Sequence, residues 1–304
     1  MARSRLPSAR RPWQPSPRVS APLLAHQLVV ADGATPTRWM IVLHGIFGMG
    51  TNFRTLARAL ATERPAWGFV LVDLRGHGAS QGFPPPHDLA AVAGDLAALA
   101  DHLGLRLSGI AGHSFGGKAA LAYVAAHPGA LDVALVLDSS PGMRRDVETR
   151  ESATRVLGLL ESLPSTFPTR EAFVERLLAE GYARGIVDWL TMNVRRQGDA
   201  DALRLDLRAI RELLDSYFSL DLWPIVDDPE SVGALHVILG GRSEVFDGEA
   251  KNRLALAETR NPRLVVRVLP SAGHWLHVDD PAGVLDSFRR ALDAADTRAT
   301  SRTV

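Results

Sequence analysis

The sequence predicts an α/β fold in which a mostly parallel sheet is flanked by helices and carries an inserted helical cap. From residue 23 onward, short runs rich in Val, Ile and Leu alternate with longer amphipathic stretches, the rhythm of a parallel sheet covered by helices. Between 144 and 224 the strand signal disappears and several helical patterns with charged outer faces take its place. The chain's 304 residues, 46% of them hydrophobic, are enough to bury one large core.

Strands are expected at 23–30, 39–43, 68–73, 107–111, 132–137, 234–239 and 264–269. The second and third read Trp-Met-Ile-Val-Leu and Gly-Phe-Val-Leu-Val-Asp, continuous apolar runs of the kind buried on both faces. Helices are expected at 52–62, 88–103, 115–127, 248–260 and 281–292. Within the insertion they fall at 148–163, 169–180, 185–195 and 204–220. Its Phe173, Trp189, Leu190, Met192, Tyr217, Phe218 and Trp223 either line a pocket or glue cap to body, and for any single one core packing is the commoner role. The resulting organisation is a core of 21–143 and 225–293, a helical cap of 144–224, a basic Pro-rich tail at 1–20 and a flexible tail at 294–304.

Lys plus Arg and Asp plus Glu balance at 34 each, so no net field draws the chain to nucleic acid or an anionic membrane. A small or neutral partner fits better. The absence of cysteine removes disulfides, a thiol nucleophile and thiolate metal sites. No apolar run reaches the roughly 18 residues a membrane helix needs. The first 20 residues carry five arginines, four prolines and no acid. That lacks the apolar centre of a secretory signal, and the prolines oppose the amphipathic helix of a mitochondrial transit segment. A disordered tail on a cytoplasmic protein is the expectation, with the oligomeric state open.

The most specific signal is Gly112-His113-Ser114-Phe115-Gly116-Gly117, between an apolar strand and an Ala-rich helix. It fits the G-x-S-x-G nucleophile elbow in its required context. Such a turn holds the Ser114 hydroxyl at a helix N-terminus, where dipole and free amides favour an oxyanion. A serine at its ordinary pKa needs an imidazole base. His274, in Ser271-Ala272-Gly273-His274-Trp275-Leu276-His277 beyond the last strand, is placed best, with His277 as competitor. His113 flanks the serine but is expected to point away from the reacting face.

In most enzymes with this elbow the acid follows the penultimate strand in a Gly-x-x-Asp turn. Here that turn reads Gly240-Gly241-Arg242-Ser243-Glu244, with serine in place of aspartate. The preceding strand ends Val136-Leu137-Asp138-Ser139-Ser140-Pro141, and an acid at a strand's C-terminal tip is positioned as the mechanism requires. Asp138 is therefore chosen, with Glu244 and Asp247 as alternatives. The oxyanion donors are the amides of Phe115 and of Ile46, in the loop His44-Gly45-Ile46-Phe47-Gly48-Met49-Gly50, with Phe47 as alternative to Ile46. His44 is read as a loop-holding residue, and Asp73-Leu74-Arg75-Gly76-His77-Gly78 as a structured turn.

Together these residues resemble the α/β-hydrolase family, and within it the small bacterial carboxylesterases related to mitochondrial esterases. The resemblance rests on 112–118, on Asp138-Ser-Ser-Pro, on Gly-Gly-Arg-Ser at 240–243 and on Ala-Gly-His-Trp-Leu-His at 272–277. The cap segment Ile186-Val187-Asp188-Trp189-Leu190-Thr191-Met192-Asn193 is similar too, and the likeness runs from about 23 to 292. In that group the triad acid lies after strand six, and the turn after strand seven carries Gly-Gly-x-Ser. The resemblance implies Ser114, Asp138 and His274 as triad, with activity on short to medium acyl esters or thioesters and neither metal nor cofactor.

Two rival classes compete with this reading. A dinucleotide-binding oxidoreductase fits poorly, since Gly45, Gly48 and Gly50 lack G-x-G-x-x-G spacing and Asp73 comes too late. A non-catalytic ligand-binding protein on the same fold stays open, because fold alone never proves activity. So do peptidase, lactonase and carbon-carbon bond hydrolase chemistries that use the same triad.

Overall fold

The computed structural model describes residues 22–144 and 152–301; the expected tail at 1–20 lies outside them. In chain order the core opens with β1 (His26–Val29), β2 (Arg38–Leu43), α1 (Arg54–Glu63), β3 (Trp67–Val72), α2 (Leu89–Leu103), β4 (Leu107–His113), α3 (Phe115–Ala126) and β5 (Val133–Leu137). The insertion holds α4 (Ala153–Ser162), β6 (Thr166–Phe167), α5 (Arg170–Ala179), α6 (Arg184–Thr191), β7 (Val194–Gln197), β8 (Ala200–Leu203), α7 (Leu207–Ser219) and α8 (Trp223–Asp227). The core resumes with β9 (Ala234–Gly240), α9 (Gly248–Arg260), β10 (Leu264–Leu269), α10 (Leu276–Asp279) and α11 (Pro281–Ser301).

Seven strands form one sheet in the order β1-β3-β2-β4-β5-β9-β10. All neighbours run parallel except β1, which pairs antiparallel with β3. The central strands β3, β4, β5 and β9 are buried along their whole length, which is why their sequences do not alternate. One core packs α1 and α11 against the sheet through Ala57, Leu60, Phe288 and Leu292. The other packs α2, α3 and α9 against its opposite face through Leu96, Leu121 and Leu254. Side chains that take up orphan amides start the helices: Asp88 caps α2, Thr169 α5, Asp206 α7 and Asp247 α9.

The fold agrees with the expected α/β architecture, with two corrections. First, the insertion is not purely helical, because β6, β8 and β7 form a small antiparallel sheet. The helix expected over 185–195 stops at Thr191, and Val194–Gln197 turns back on Ala200–Leu203 through Gly198 at φ 63°. Arg195, Arg196 and Gln197 face solvent, so no apolar run announces that strand. Second, residues 294–301 are not a loose tail, since α11 runs on to Ser301; 302–304 lie outside the described residues. Ala295 is fully buried, and Asp296 accepts hydrogen bonds from Arg38 Nη1 (2.6 Å) and Trp67 Nε1 (3.1 Å), anchoring the helix to the starts of β2 and β3. No helix among the described residues is long and apolar enough to cross a membrane.

Strand order reverses between β2 and β4, which lie side by side while β3 sits on the far side of β2. Open parallel sheets bind ligands at the C-terminal ends of strands at such a switch point. The loops after β2 and β4 meet there.

Candidate active site

Ser114 follows β4 directly and occupies the N-cap position of α3, at φ 52° and ψ −119°. A Cβ on Gly112 would lie 2.0 Å from the Gly116 carbonyl oxygen, so only glycine allows the strand to turn this sharply into the helix. The turn is held by the Ser114 amide, which donates to Leu137 O at 2.9 Å. Although it stands at the cap position, the Ser114 hydroxyl makes no capping bond. It lies 3.0 Å from His274 Nε2 instead.

His274 sits on the loop after β10, at the sheet edge. To reach Ser114 the loop crosses the end of β9, where a Cβ on Gly240 would fall 2.3 Å from Gly273 O. The Arg242 amide donates to Ala272 O (2.9 Å) and the Gly273 amide to Asp279 Oδ2 (2.7 Å), fixing the crossing. His274 Nδ1 lies 2.7 Å from Asp138 Oδ2. A carboxylate can only accept, so Nδ1 carries the proton and Nε2 presents its lone pair to Ser114.

Asp138 caps β5 at φ 45° and is fully buried. Its Oδ1 accepts the Gly240 amide at 3.1 Å, and its Oδ2 also accepts Ser243 Oγ–H at 2.5 Å. Ser243, standing where an aspartate was the commoner expectation, thus serves the earlier acid. The alternatives do other work: Asp247 Oδ1 caps α9 through the Ala250 amide (2.8 Å), and Glu244 lies exposed at the cavity edge. His277 is packed against Phe53 and His113, with ring centroids 5.0 and 5.1 Å away, and burial pushes its pKa down to about 4. His113 does not point wholly away from the site. Its Nε2 donates to the His274 carbonyl (2.7 Å) and its ring lies 4.8 Å from that of His274, a bracing role that local sequence did not signal.

The loop after β2 is a tight turn closed by the Gly48 amide on Gly45 O (2.9 Å), with Phe47 in the left-handed region at φ 60°. The Phe47 amide is engaged by His77 Nε2 at 3.1 Å. His44, as expected, holds the loop: its Nδ1 donates to Gly45 O (2.7 Å) and its Nε2 accepts the Leu74 amide (3.0 Å). The Asp73–Gly78 turn is structured as expected, with Asp73 accepting the Gly50 and Ala79 amides and Arg75 forked onto Asp95.

The His44 and His77 rings lie 4.9 Å apart in the interior, and burial pushes their pKa values down to about 4 and about 3. Both stay neutral in the folded chain at pH 7. As pH falls below the ordinary 6.5 the unfolded chain takes up protons first, so folding stability declines until the folded values are reached. For the pair the expected loss is about 4 kcal/mol at pH 5 relative to pH 7. Urea unfolding at the two pH values checks this, and an unchanged unfolding free energy would contradict it.

Lys118, one turn along α3 from the serine, is fully buried. Its Nζ donates to Gly142 O (2.8 Å) and Tyr217 O (2.5 Å) and sits 4.9 Å from the Tyr217 ring centroid, tying α3 to the insertion. Burial lowers its pKa to about 8.

Ser114 and His274 open into a cavity of about 590 Å³. Core residues Ile46, Phe47 and Phe115 line one side; Ile186, Trp189, Leu214, Tyr217 and Phe218 of the insertion line the other. Phe173, Leu190 and Trp223 are buried too but do not line this cavity. Met192 lies by the sulfur-facing amide of Asn52. An ordered serine, imidazole and carboxylate beside an apolar cavity can carry out nucleophilic acyl transfer.

The fold and this constellation define an α/β hydrolase, and residues 40–287 match the alpha/beta hydrolase family, to which the chain belongs. Among its relatives is the mouse (Mus musculus) protein named sn-1-specific diacylglycerol lipase ABHD11, 28% identical over 88% of this chain and 85% of that one. The esterase YbfF of Escherichia coli is 27% identical over 84% of this chain and 92% of its own length. A marine microorganism esterase of known structure shares the fold at a TM-score of 0.74, with 23% identity over 89% of this chain and 100% of that one.

Proposed function

We propose that this carboxylic ester hydrolase is a serine esterase acting through an acyl-enzyme on Ser114. The observation that carries the reading is the hydrogen-bonded line from Asp138 Oδ2 through His274 to Ser114 Oγ, 2.7 and 3.0 Å, ending in the cavity. His274 takes the Ser114 proton as Oγ adds to the ester carbonyl, and returns it to the departing alkoxide. Water repeats the sequence on the acyl-enzyme. Asp138 holds the Nδ1–H tautomer and stabilises the imidazolium. The amides of Phe115 and Ile46 receive the oxyanion. Phe115 is the first residue of α3, where helical amides have no intrahelical partner, and the commitment of the Phe47 amide to His77 favours Ile46 as the second donor.

The insertion acts as a cap whose aromatic and aliphatic side chains form the acyl wall. A cavity of about 590 Å³ lies within the range typical of small-ligand pockets and supports short to medium acyl chains, with thioesters as a second substrate class. The test pairs fluorophosphonate labelling with a screen of p-nitrophenyl esters from acetate to palmitate, run beside acyl-CoA thioesters and amides. Labelling at Ser114 and turnover that peaks below the longest acyl chain are expected. A protein that binds esters but neither labels nor turns over would be a binding protein on a hydrolase fold.

A further inference from the structure

We infer that Asn193, in the cap, is a positioning residue for the oxyanion loop of the core. The inference rests on Ile46 as an oxyanion donor in the serine esterase reading. Asn193 joins α6 to β7 and is buried, and its Nδ2 donates to the Phe47 carbonyl at 2.7 Å, bridging 146 positions in sequence. Phe47 is the residue after Ile46 and sits at φ 60° in the turn from Gly45 to Gly48. Bulky side chains avoid that region, so the conformation persists only where its surroundings impose it.

Two bonds impose it, one from each part of the molecule. His77 of the core accepts the Phe47 amide at 3.1 Å, and Asn193 of the cap donates to the Phe47 carbonyl. The Phe47 ring also meets Trp189 of α6 edge-on, with centroids 5.7 Å apart. Asn193 is itself fixed: its amide donates to Leu190 O (3.0 Å), and its carbonyl accepts the Arg204 amide (2.8 Å). Its Oδ1 is buried without a partner among the described residues. A buried amide oxygen left unpaired is costly, yet the opposite amide orientation would set oxygen against the Phe47 carbonyl. The side chain therefore bears an unsatisfied acceptor in order to make this bond.

Loss of the bond frees Phe47 to leave the left-handed region. The Phe47–Gly48 peptide then turns and loosens the bond from its Gly48 amide to Gly45 O; that carbonyl shares a peptide with the Ile46 amide, which drifts from the position where the oxyanion forms. The ground-state ester, held by the cavity walls, is little affected, so the deficit falls on the transition state.

The experiment compares wild type with Asn193→Leu, close in volume but without the donor, and with Asn193→Ala and Asn193→Ser. Thr191→Val, which removes a bond internal to the cap from Thr191 Oγ1 to Val187 O, controls for cap stability. Direct loss of an oxyanion donor costs about 10²–10³ in kcat, so an indirect displacement is expected to cost about 10- to 30-fold. KM should stay within about twofold, and the inhibition constant for butylboronic acid, whose serine adduct is tetrahedral, should rise by the same factor as kcat falls. Asn193→Ser, with a shorter donor, should recover part of the loss, and it or Asn193→Ala decides the matter if the Leu variant does not fold. The inference is overturned by an unchanged kcat, by a loss confined to KM, by unaltered boronate inhibition, or by an equal loss in Thr191→Val. Wild-type protein that fails to label with fluorophosphonate would instead overturn the serine esterase reading, and this inference with it.

Discussion

Ser114→Ala is expected to lower kcat on ester substrates by about 10⁶-fold, the loss seen when the nucleophile of a convergent serine hydrolase is removed. The expectation rests on the 3.0 Å approach of Ser114 Oγ to His274 Nε2 and on a hydroxyl that serves no structural bond. The other hydroxyl in this network, Ser243 Oγ, faces the carboxylate of Asp138 and has no access to Nε2. Alanine fits the site without new contacts, so the variant should fold and still bind ester. Intact-mass spectra after brief exposure to a p-nitrophenyl ester should show an acyl adduct on the wild type and none on the variant. A fully active Ser114→Ala protein would end the acyl-enzyme mechanism.

Asp138→Asn is expected to cost about 10⁴-fold in kcat with the fold retained, the size of effect when a triad acid is neutralised elsewhere. The carboxylate is fully buried and accepts from His274 Nδ1, Ser243 Oγ and the Gly240 amide. An asparagine amide can turn a donor toward Nδ1, which moves the imidazole proton to Nε2 and removes the base. Glu244→Gln and Asp247→Asn should each cost less than about tenfold, or 1.4 kcal/mol. Glu244 is exposed, and asparagine caps a helix nearly as well as the Asp247 that caps α9. Kinetics of the three variants, with thermal melts to confirm folding, decide the point. Collapse in Glu244→Gln with activity kept in Asp138→Asn would move the acid to the loop after β9.

The core strands were legible because burial on both faces leaves unbroken runs such as Trp39–Leu43 and Phe69–Val72. The meeting of Ser114, Asp138 and His274 was legible because the first two directly follow β4 and β5 and the third lies on the loop after β10, and a parallel sheet puts those strand ends on one edge. The small sheet of the cap was not legible. Thr166–Phe167 is two residues long, and Val194–Gln197 is mostly charged or polar, so pairing, not local preference, makes them strands. The extension of α11 depends on Arg38 and Trp67, remote in sequence, as partners for Asp296. Which cap aromatics face the cavity was equally hidden: Trp189 and Tyr217 line it while Phe173 and Trp223 do not, a distinction set by helix orientation. In the sequence Ser243 shows only as a missing aspartate, and its partnership with Asp138 becomes visible in the structure.

Among the described residues, three non-glycine positions have positive φ: Phe47, Ser114 and Asp138. All three belong to the site, and each such residue costs about 1–3 kcal/mol, against a net stability of about 5–15 kcal/mol for a typical domain. The protein thus spends its thermal endurance at the candidate site. Ser114→Gly should remove the strain at the elbow and, after the entropy glycine adds to the unfolded chain, melt about 2 °C or more above wild type in calorimetry. A lower melting temperature would show the elbow to be relaxed. Under the proposed mechanism, selection for heat resistance alone would drive this chain toward inactivity, beginning at the proposed nucleophile.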